Sequence, residues 1–372
     1  MSIKNISKIR IGFFISNLQQ GGAEKQFVEL IKGIDKNKFQ VYLYLYAYQK
    51  EAFYKDVFEN NDIKVETNKL EKKGIFKIIE ALIYLRKITI KNEFDILFSS
   101  LFMNNLFLRL VSPRKHNNKI VTSMRTSLAN YSNLYIYAEK FFIPKSYIIF
   151  NSNKSLAEFK SILKPTYHSR LHLIYNGFER IKTKTKTNND TVVFGALGRF
   201  SKEKNILQSV RVFQNLFKSN NFFKLIVQGH FGNQFDDIKE IIFTKNIEIK
   251  EPNFNVEIFY NSIHILILPS IFEGCPNVLF EAMLRKKICI VSKGANSDKF
   301  VENGVTGFIY DGSDIELINT INYVISLIGT KKEIEIVNNA HQYASSKFSM
   351  QSMVKNYELI FNKLYEKNES CS

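Results

Sequence analysis

The run IHILILPSIFEGCPNVLFEAM, residues 263–283, decides how this chain is read. Its opening, IHILILP (263–269), has the length and apolar content of a buried strand, and NVLFEAMLRK (277–286) resumes with helical spacing. Between them lies EGCPNVLFE (273–281), a turn with a glutamate at each end. A strand that leads through a turn into a helix is half of a βαβ unit, and ligands of open α/β sheets sit outside the carboxyl ends of the strands. Glu273 is therefore expected in the loop above the sheet edge and Glu281 about one turn into the helix. Gly274, Cys275, Pro276, Asn277 and Val278 make the turn and helix start, whose backbone amides face whatever binds there. Carboxylates so placed accept hydrogen bonds from sugar hydroxyls.

Working outward, short apolar runs alternate with amphipathic segments of helix length. IRIGFFIS (9–16), FQVYLYLYA (39–47), FDILFSS (94–100), KIVTSM (119–124) and SYIIFNS (146–152) read as strands. AEKQFVELIKGI (23–34) and KIIEALIYLRKITIK (77–91) carry apolar residues at three- and four-residue steps and read as helices. The pattern breaks at IKTKTKTNND (181–190), a polar low-complexity linker. It restarts with TVVFGALG (191–198), KLIVQG (224–229), NIEIK (246–250), IHILILP and KICIVS (287–292). Two α/β domains are expected, 1–180 and 191–351, each with a parallel sheet covered on both faces. A last helix spans SMVKNYELIFNKLYEKN (352–368), within the C-terminal segment 352–372. A chain of 372 residues is long enough for two separate cores.

Composition narrows the function classes. Hydrophobic residues at 45% and charged residues at 23% are values of a folded chain. No window holds eighteen uncharged apolar residues and no secretory signal opens the chain, so the cytoplasm is the expected compartment. Cys275, Cys289 and Cys371 are odd in number and widely spaced, and the six histidines form no HExxH pair. No disulfide framework, metal or cofactor is expected. The net charge of +17 is uneven: residues 1–180 hold 29 Lys and Arg against 15 Asp and Glu, which accounts for +14 of it. A basic first half attracts an anionic substrate, an anionic membrane or nucleic acid.

Two further motifs stand at strand ends. ISNLQQGGAEKQF places Gly21 and Gly22 before a helix, where bare backbone and the helix start would suit a diphosphate. GALGRFSKEKN places Arg199 and Lys204 after a strand, a fork-shaped cation and a point cation suited to the same group. Neither spacing alone separates a ligand site from a solvated turn.

Taken together, QQGGAEK, IYNGFE (174–179), GRFSKEKN, LPSIFEGCPNVLFEAM and VENGVTGFIYDGSD, in this order and spacing, resemble glycosyltransferase family 4, retaining enzymes of bacterial polysaccharide and lipid-linked oligosaccharide synthesis. The resemblance implies the GT-B fold, two Rossmann-like domains with parallel sheets facing across a cleft. It also implies that the second domain holds the nucleotide-sugar, that the first meets the acceptor, and that segment 352–372 packs back on the first domain. By motif, Arg199 and Lys204 would neutralise the donor diphosphate. Glu273, first glutamate of the E-x7-E pattern, would sit near the donor sugar, and Glu281 would bind the ribose. Gly21 and Gly22 and the 274–278 loop would complete the donor contacts. The chain departs from the family at FDILFSSLFMNN: many members carry a histidine there, and this chain has none before His116. Asn104, Asn105 and Arg125 are candidates to replace it in acceptor binding.

No DxD triplet is present, so fixed cations rather than a metal are expected to meet the leaving diphosphate. The implied partners are a nucleotide-sugar, taken as a UDP-sugar, and a glycan or polyprenyl-diphosphate-linked glycan, with peripheral contact to the inner face of the cytoplasmic membrane. KKGIFKIIEALIYLRKITIK (72–91) is the candidate contact. Three other classes compete. A glycoside hydrolase also uses two carboxylates, but has no need of a diphosphate clamp. A sugar-nucleotide epimerase shares the architecture. A basic nucleic-acid-binding protein would account for the charge, yet no RNA- or DNA-binding motif accompanies it.

Overall fold

Each apolar run becomes a strand because the side chains on both of its faces have somewhere to go. The computed structural model describes residues 8–369 except 20, 49–53, 55, 61, 126, 127, 129–131, 180–190, 219, 221, 231 and 252–255. The expected linker 181–190 and Cys371 lie outside the described residues. The chain divides into two units, Met1–Gly177 with Met350–Ser372, and Phe178–Ser349.

The first unit carries seven strands: β1 Ile9–Ile15, β2 Phe39–Leu45, β3 Ile63–Thr67, β4 Ile96–Ser100, β5 Ile120–Met124, β6 Ser146–Phe150 and β7 Leu171–Leu173. They pair in parallel in the order β3-β2-β1-β4-β5-β6-β7. Ile11, Phe13 and Ile15 face a core closed by helix Gly22–Gly33 and by Tyr357 and Phe361 of helix Met350–Glu369. Phe14, Tyr44 and Leu97 face the opposite core, closed by helices Gly74–Lys91 and Phe102–Val111. The last helix is built into the first unit: a β-carbon on Gly33 would come within 2.6 Å of Val354 Cγ2, so glycine permits the close approach.

The second unit carries β8 Val192–Leu197, β9 Phe223–Gln228, β10 Ile247–Lys250, β11 Ile265–Leu268, β12 Ile288–Ser292 and β13 Phe308–Tyr310. These are also parallel, in the order β10-β9-β8-β11-β12-β13. Its core fills with Phe194, Phe213, Ile267 and Ile290 on one face, under helices Ile206–Phe217 and Asp314–Leu327. The second of these starts on Ser313, whose hydroxyl accepts from Glu316 N–H at 3.2 Å, a cap that fixes where the strand ends and the helix begins. In both sheets the order reverses once, between β1 and β4 and between β8 and β11, and such reversals are where open α/β sheets bind ligands.

The strands absent from the sequence reading are β3, β7 and β13. Two have only three residues, and IKVET of β3 interleaves charges with its apolar positions, so none presents a continuous apolar run.

Candidate functional site

At the reversal in the second unit, the loops after β8 and β11 are joined through their backbones, with Ile271 N–H donating to Glu203 C=O at 2.9 Å. The loop after β8 is anchored by Phe200, fully buried and stacked on Phe235 with ring centroids 5.7 Å apart. It then turns tightly, Lys204 N–H and Asn205 N–H both donating to Ser201 C=O at 3.0 Å. Asn205 takes φ 50°, a left-handed conformation that asparagine tolerates better than most residues.

This turn delivers Lys204 to Glu273. Lys204 Nζ donates to Glu273 Oε1 at 2.6 Å, and Ser270 Oγ donates to the same oxygen at 2.7 Å. The Glu273 backbone is held in turn by Ser297, whose hydroxyl donates to its carbonyl at 2.8 Å. Ser270 and Ile271 pass so close to Gly294 that a β-carbon there would lie 2.0 Å from Ile271 O. The Lys204 and Glu273 side chains are 32% and 11% exposed, so the pair stands at the surface of the site rather than in the core. An ammonium has three donors, and Glu273 occupies one, which leaves Lys204 able to serve an anion without releasing its partner.

Glu281 lies one turn into helix Asn277–Leu284 and is buried. Its Oε2 accepts from Tyr260 O–H at 2.8 Å, and Arg285 Nη1 donates to its backbone carbonyl at 2.7 Å. Arg285 ties the group together: it pairs with Glu257 and lies 4.6 Å from the Tyr260 ring centroid. Burial, reinforced by the Glu281 charge, holds the Tyr260 hydroxyl well above its ordinary pKa, so it remains a proton donor to the carboxylate.

Arg199 is placed differently from Lys204. Its guanidinium is 67% exposed, with Glu203 3.9 Å away, and the structure does not bring it into the Lys204–Glu273 contact. Among the turn residues, Cys275 is buried and Pro276 is the helix cap, with Leu279 N–H donating to its carbonyl at 3.1 Å. Proline has no N–H, so the expectation that every residue of this turn offers an amide is corrected at Pro276.

In the first unit, Gly21 precedes helix Gly22–Gly33 with extended backbone, φ −162°. Glu24 folds against it, since a β-carbon on Gly21 would meet Glu24 Oε2 at 2.2 Å. A carboxylate thus already lies beside the helix start proposed for a diphosphate. Asn104 accepts from Ser16 N–H at 3.2 Å and from Tyr46 O–H, and donates to Ser100 C=O at 2.7 Å. It lines a pocket of about 340 Å³ at the reversal of this sheet, together with Asn17, Tyr46, Lys77, Ile78 and Phe107. Asn105 is fully buried, donating to Ser123 C=O at 2.9 Å and accepting from Ser99 Oγ at 2.8 Å. Its candidacy as an acceptor contact is corrected: its amide ties β4 to β5. Arg125 is drawn inward, Nη1 donating to Asn176 Oδ1 at 2.6 Å. His116 is also structural, its ring bonded to Thr89 O at 2.8 Å and its pKa lowered by burial.

The sequence pointed to none of Ser270, Tyr260 and Arg285, whereas Ser297 lies in GANSDKF (294–300), a stretch after β12 expected to line the base or donor pocket. A serine two residues past a strand end was the available signal for Ser270. Tyr260 had none, because helix Val256–Ser262 is too short to show a period. Among the described residues, no three His, Cys, Asp or Glu side chains gather as a metal site would require.

The family model described as Glycosyltransferase Family 4 matches residues 20–180, and that described as Glycosyl transferases group 1 matches residues 177–342. The capsular polysaccharide biosynthesis glycosyltransferase CapM of Staphylococcus aureus is 27% identical over 190 residues, 50% of this chain and 49% of that protein. The lipopolysaccharide 1,2-N-acetylglucosaminetransferase of Salmonella typhimurium is 25% identical over 226 residues, 53% of this chain and 58% of that protein. The chain thus spans about half the length of the curated relatives it matches. HepE of Anabaena, solved in complex with UDP and glucose, superposes with a TM-score of 0.78 at 19% identity, covering 95% of this chain and all of that one. With the two models together matching residues 20–342 over two parallel Rossmann-like units, the chain belongs to glycosyltransferase family 4 and has the GT-B fold.

Proposed function

We propose that the protein is a retaining, metal-independent glycosyltransferase. It moves a hexosyl or N-acetylhexosaminyl group from a UDP-sugar to a glycan acceptor, carried on a polyprenyl diphosphate or another surface-polysaccharide precursor, at the inner face of the cytoplasmic membrane. The observation that carries this reading is the Lys204–Glu273 contact of 2.6 Å at the strand reversal of the second unit, a cation and a carboxylate presented together at the surface of the site. The UDP and glucose bound to HepE, and the polysaccharide roles of CapM and the Salmonella transferase, are consistent with it.

In this reading the C1–O bond of the donor breaks toward the diphosphate, which leaves with one new negative charge, and Lys204 and Arg199 meet that charge as it forms. Glu273 keeps Lys204 in register and accepts from donor-sugar hydroxyls. Glu281, aligned by Tyr260, accepts from the ribose hydroxyls. Amides of the 274–278 turn add further donors. The acceptor hydroxyl attacks the face that the diphosphate leaves and yields its proton to a donor phosphate oxygen, so the anomeric configuration is kept. Asn104 and the pocket it lines take the acceptor.

Slow hydrolysis of donor without acceptor, in EDTA, over UDP-, GDP- and ADP-sugars tests the reading. Turnover of a UDP-sugar that survives EDTA and falls in Glu281→Ala is expected. Isomerised sugar in place of free UDP would establish an epimerase, and no turnover or binding with any donor would overturn the proposal.

A further inference from the structure

Gly21 is a glycine for a reason its backbone does not supply. Its φ of −162° is extended backbone that any residue adopts, and its carbonyl accepts the first bond of helix Gly22–Gly33 from Lys25 N–H at 3.0 Å. What a side chain at position 21 would meet is Glu24, the acidic residue of the helix's first turn. A β-carbon there would lie 2.2 Å from Glu24 Oε2 and 3.0 Å from its Cδ, and real β-carbons essentially never come within 3.0 Å of another heavy atom. The bare glycine therefore makes room for a carboxylate. A helix start favours negative charge, so the place that would suit a diphosphate is taken by the protein's own anion.

Glu24 also lines the first-unit pocket that holds Asn104. Ser16, Asn17 and Glu24, from the end of β1 and the helix start, make part of that lining polar, whereas Leu70, Ala81 and Phe107 make part of it apolar. Such a mixture suits a sugar ring, which carries hydroxyls on its edge and C–H groups on its face. Asn17 Oδ1 accepts from Leu18 N–H at 2.9 Å, but its Nδ2 is buried and has no hydrogen-bond partner among the described residues. Buried polar groups are as a rule hydrogen-bonded, so an unmatched donor in a pocket lining points to a ligand oxygen. The charged lining residues are Glu24 and Lys77, one of each sign, and Lys77 is exposed, so its charge is screened by solvent.

We infer that Glu24 selects the acceptor: its carboxylate accepts from two neighbouring hydroxyls of an uncharged hexose or N-acetylhexosamine ring, Asn17 Nδ2 donates to a further oxygen of that ring, and Gly21 lets the carboxylate stand there. The inference rests on the proposed acceptor role of this pocket. An ionised carboxylate is acceptor-only and has two oxygens, which matches a pair of adjacent hydroxyls. A uronic acid would bring its own carboxylate against Glu24, and like charges brought together exclude a partner.

The chain has no tryptophan, so Met103→Trp, at the exposed edge of the pocket, reports on it alone. The methyl glycosides of glucose, galactose, N-acetylglucosamine and glucuronic acid are titrated into this protein. At least one of the three neutral glycosides should change the emission, with an affinity about tenfold or more above that of the glucuronide. Glu24→Gln keeps a side chain able to reach back to the helix start, so the fold should be retained, yet that affinity should fall about tenfold. Gly21→Ala should weaken it equally without removing the carboxylate, because the new methyl displaces the end of a flexible side chain. In both variants the KM for donor in acceptor-free hydrolysis should hold at the wild-type value. A response to the glucuronide alone or to none of the four, an unchanged affinity in Glu24→Gln, or a rise in donor KM with Gly21→Ala would each overturn the assignment. A response to a neutral glycoside that Glu24→Gln loses, in a protein that hydrolyses no donor, would overturn the transferase reading and leave the sugar contact standing.

Discussion

Two ion pairs of equal length, one in each unit, show what separates a contact sealed inside the fold from one that a ligand could reach. Arg109–Glu139 and Lys204–Glu273 both measure 2.6 Å. The first is 0% and 3% exposed and its arginine also donates to Thr122, so it locks helices Phe102–Val111 and Asn133–Phe142 to β5. The second is 32% and 11% exposed, stands at a strand reversal, and has a cation with donors to spare. A closed pair can only hold the fold, whereas an open one can take a third charge. Distance carries no information about which is which; access does.

Breaking the closed pair should have the largest effect. Glu139→Ala leaves a buried guanidinium uncompensated and is expected to cost about 3–5 kcal/mol of stability, read as a lower denaturation midpoint. Lys204→Ala reverses the pattern. It should cost about 1 kcal/mol of stability, but about 2–4 kcal/mol of barrier, read in kcat for donor hydrolysis. Equal losses of stability in the two variants would erase the distinction.

Gly294→Ala sharpens it further. The added carbon must push Ile271 and the loop that carries Glu273, and a displacement of about 1 Å at the site is expected to lower kcat by about a hundredfold with the fold retained. Tyr260→Phe removes one donor from Glu281 and should weaken donor binding by about 1 kcal/mol, seen in KM rather than kcat. The smallest effect is on pH dependence. Burial lowers the pKa of His116 and His172 in the first unit and of His264 in the second. The folded state therefore favours their neutral forms. That stability is fully present above the ordinary histidine value near 6.5 and is lost as pH falls through the lowered values. Thermal unfolding should thus drop below about pH 6.5, and replacing His116 with glutamine should flatten the drop for the first unit.

The same contrast explains how much could be read in the sequence. The long strands and the αβ alternation were legible because parallel sheets buried on both faces demand continuous apolar runs, as in IRIGFFI and ILIL. The candidate residues Lys204, Glu273 and Glu281 could be picked out because each sits within a few residues of a strand end or a helix start. Their supports were not. Tyr260 and Ser297 reach the site by tertiary packing, which leaves no local spacing behind, whereas Arg285 holds the Glu281 carbonyl from four residues along the chain. Asn105 shows the converse: a polar residue after a strand looked like a ligand contact, and only the fold shows its amide fully engaged between β4 and β5. Arg199 and Lys204 looked equivalent as cations on one loop, and the fold separates them, Arg199 in an exposed pair with Glu203 at 3.9 Å and Lys204 against the largely buried Glu273 at 2.6 Å.

The central claim is that Lys204, held by Glu273, meets the donor diphosphate. Calorimetric titration of UDP and of uridine into the wild type and Lys204→Ala tests it most directly. The account predicts that UDP affinity falls about tenfold or more in the variant, roughly 1.4 kcal/mol, while uridine affinity is unchanged. Equal UDP affinity in the two proteins, or an equal loss for UDP and uridine, would contradict it.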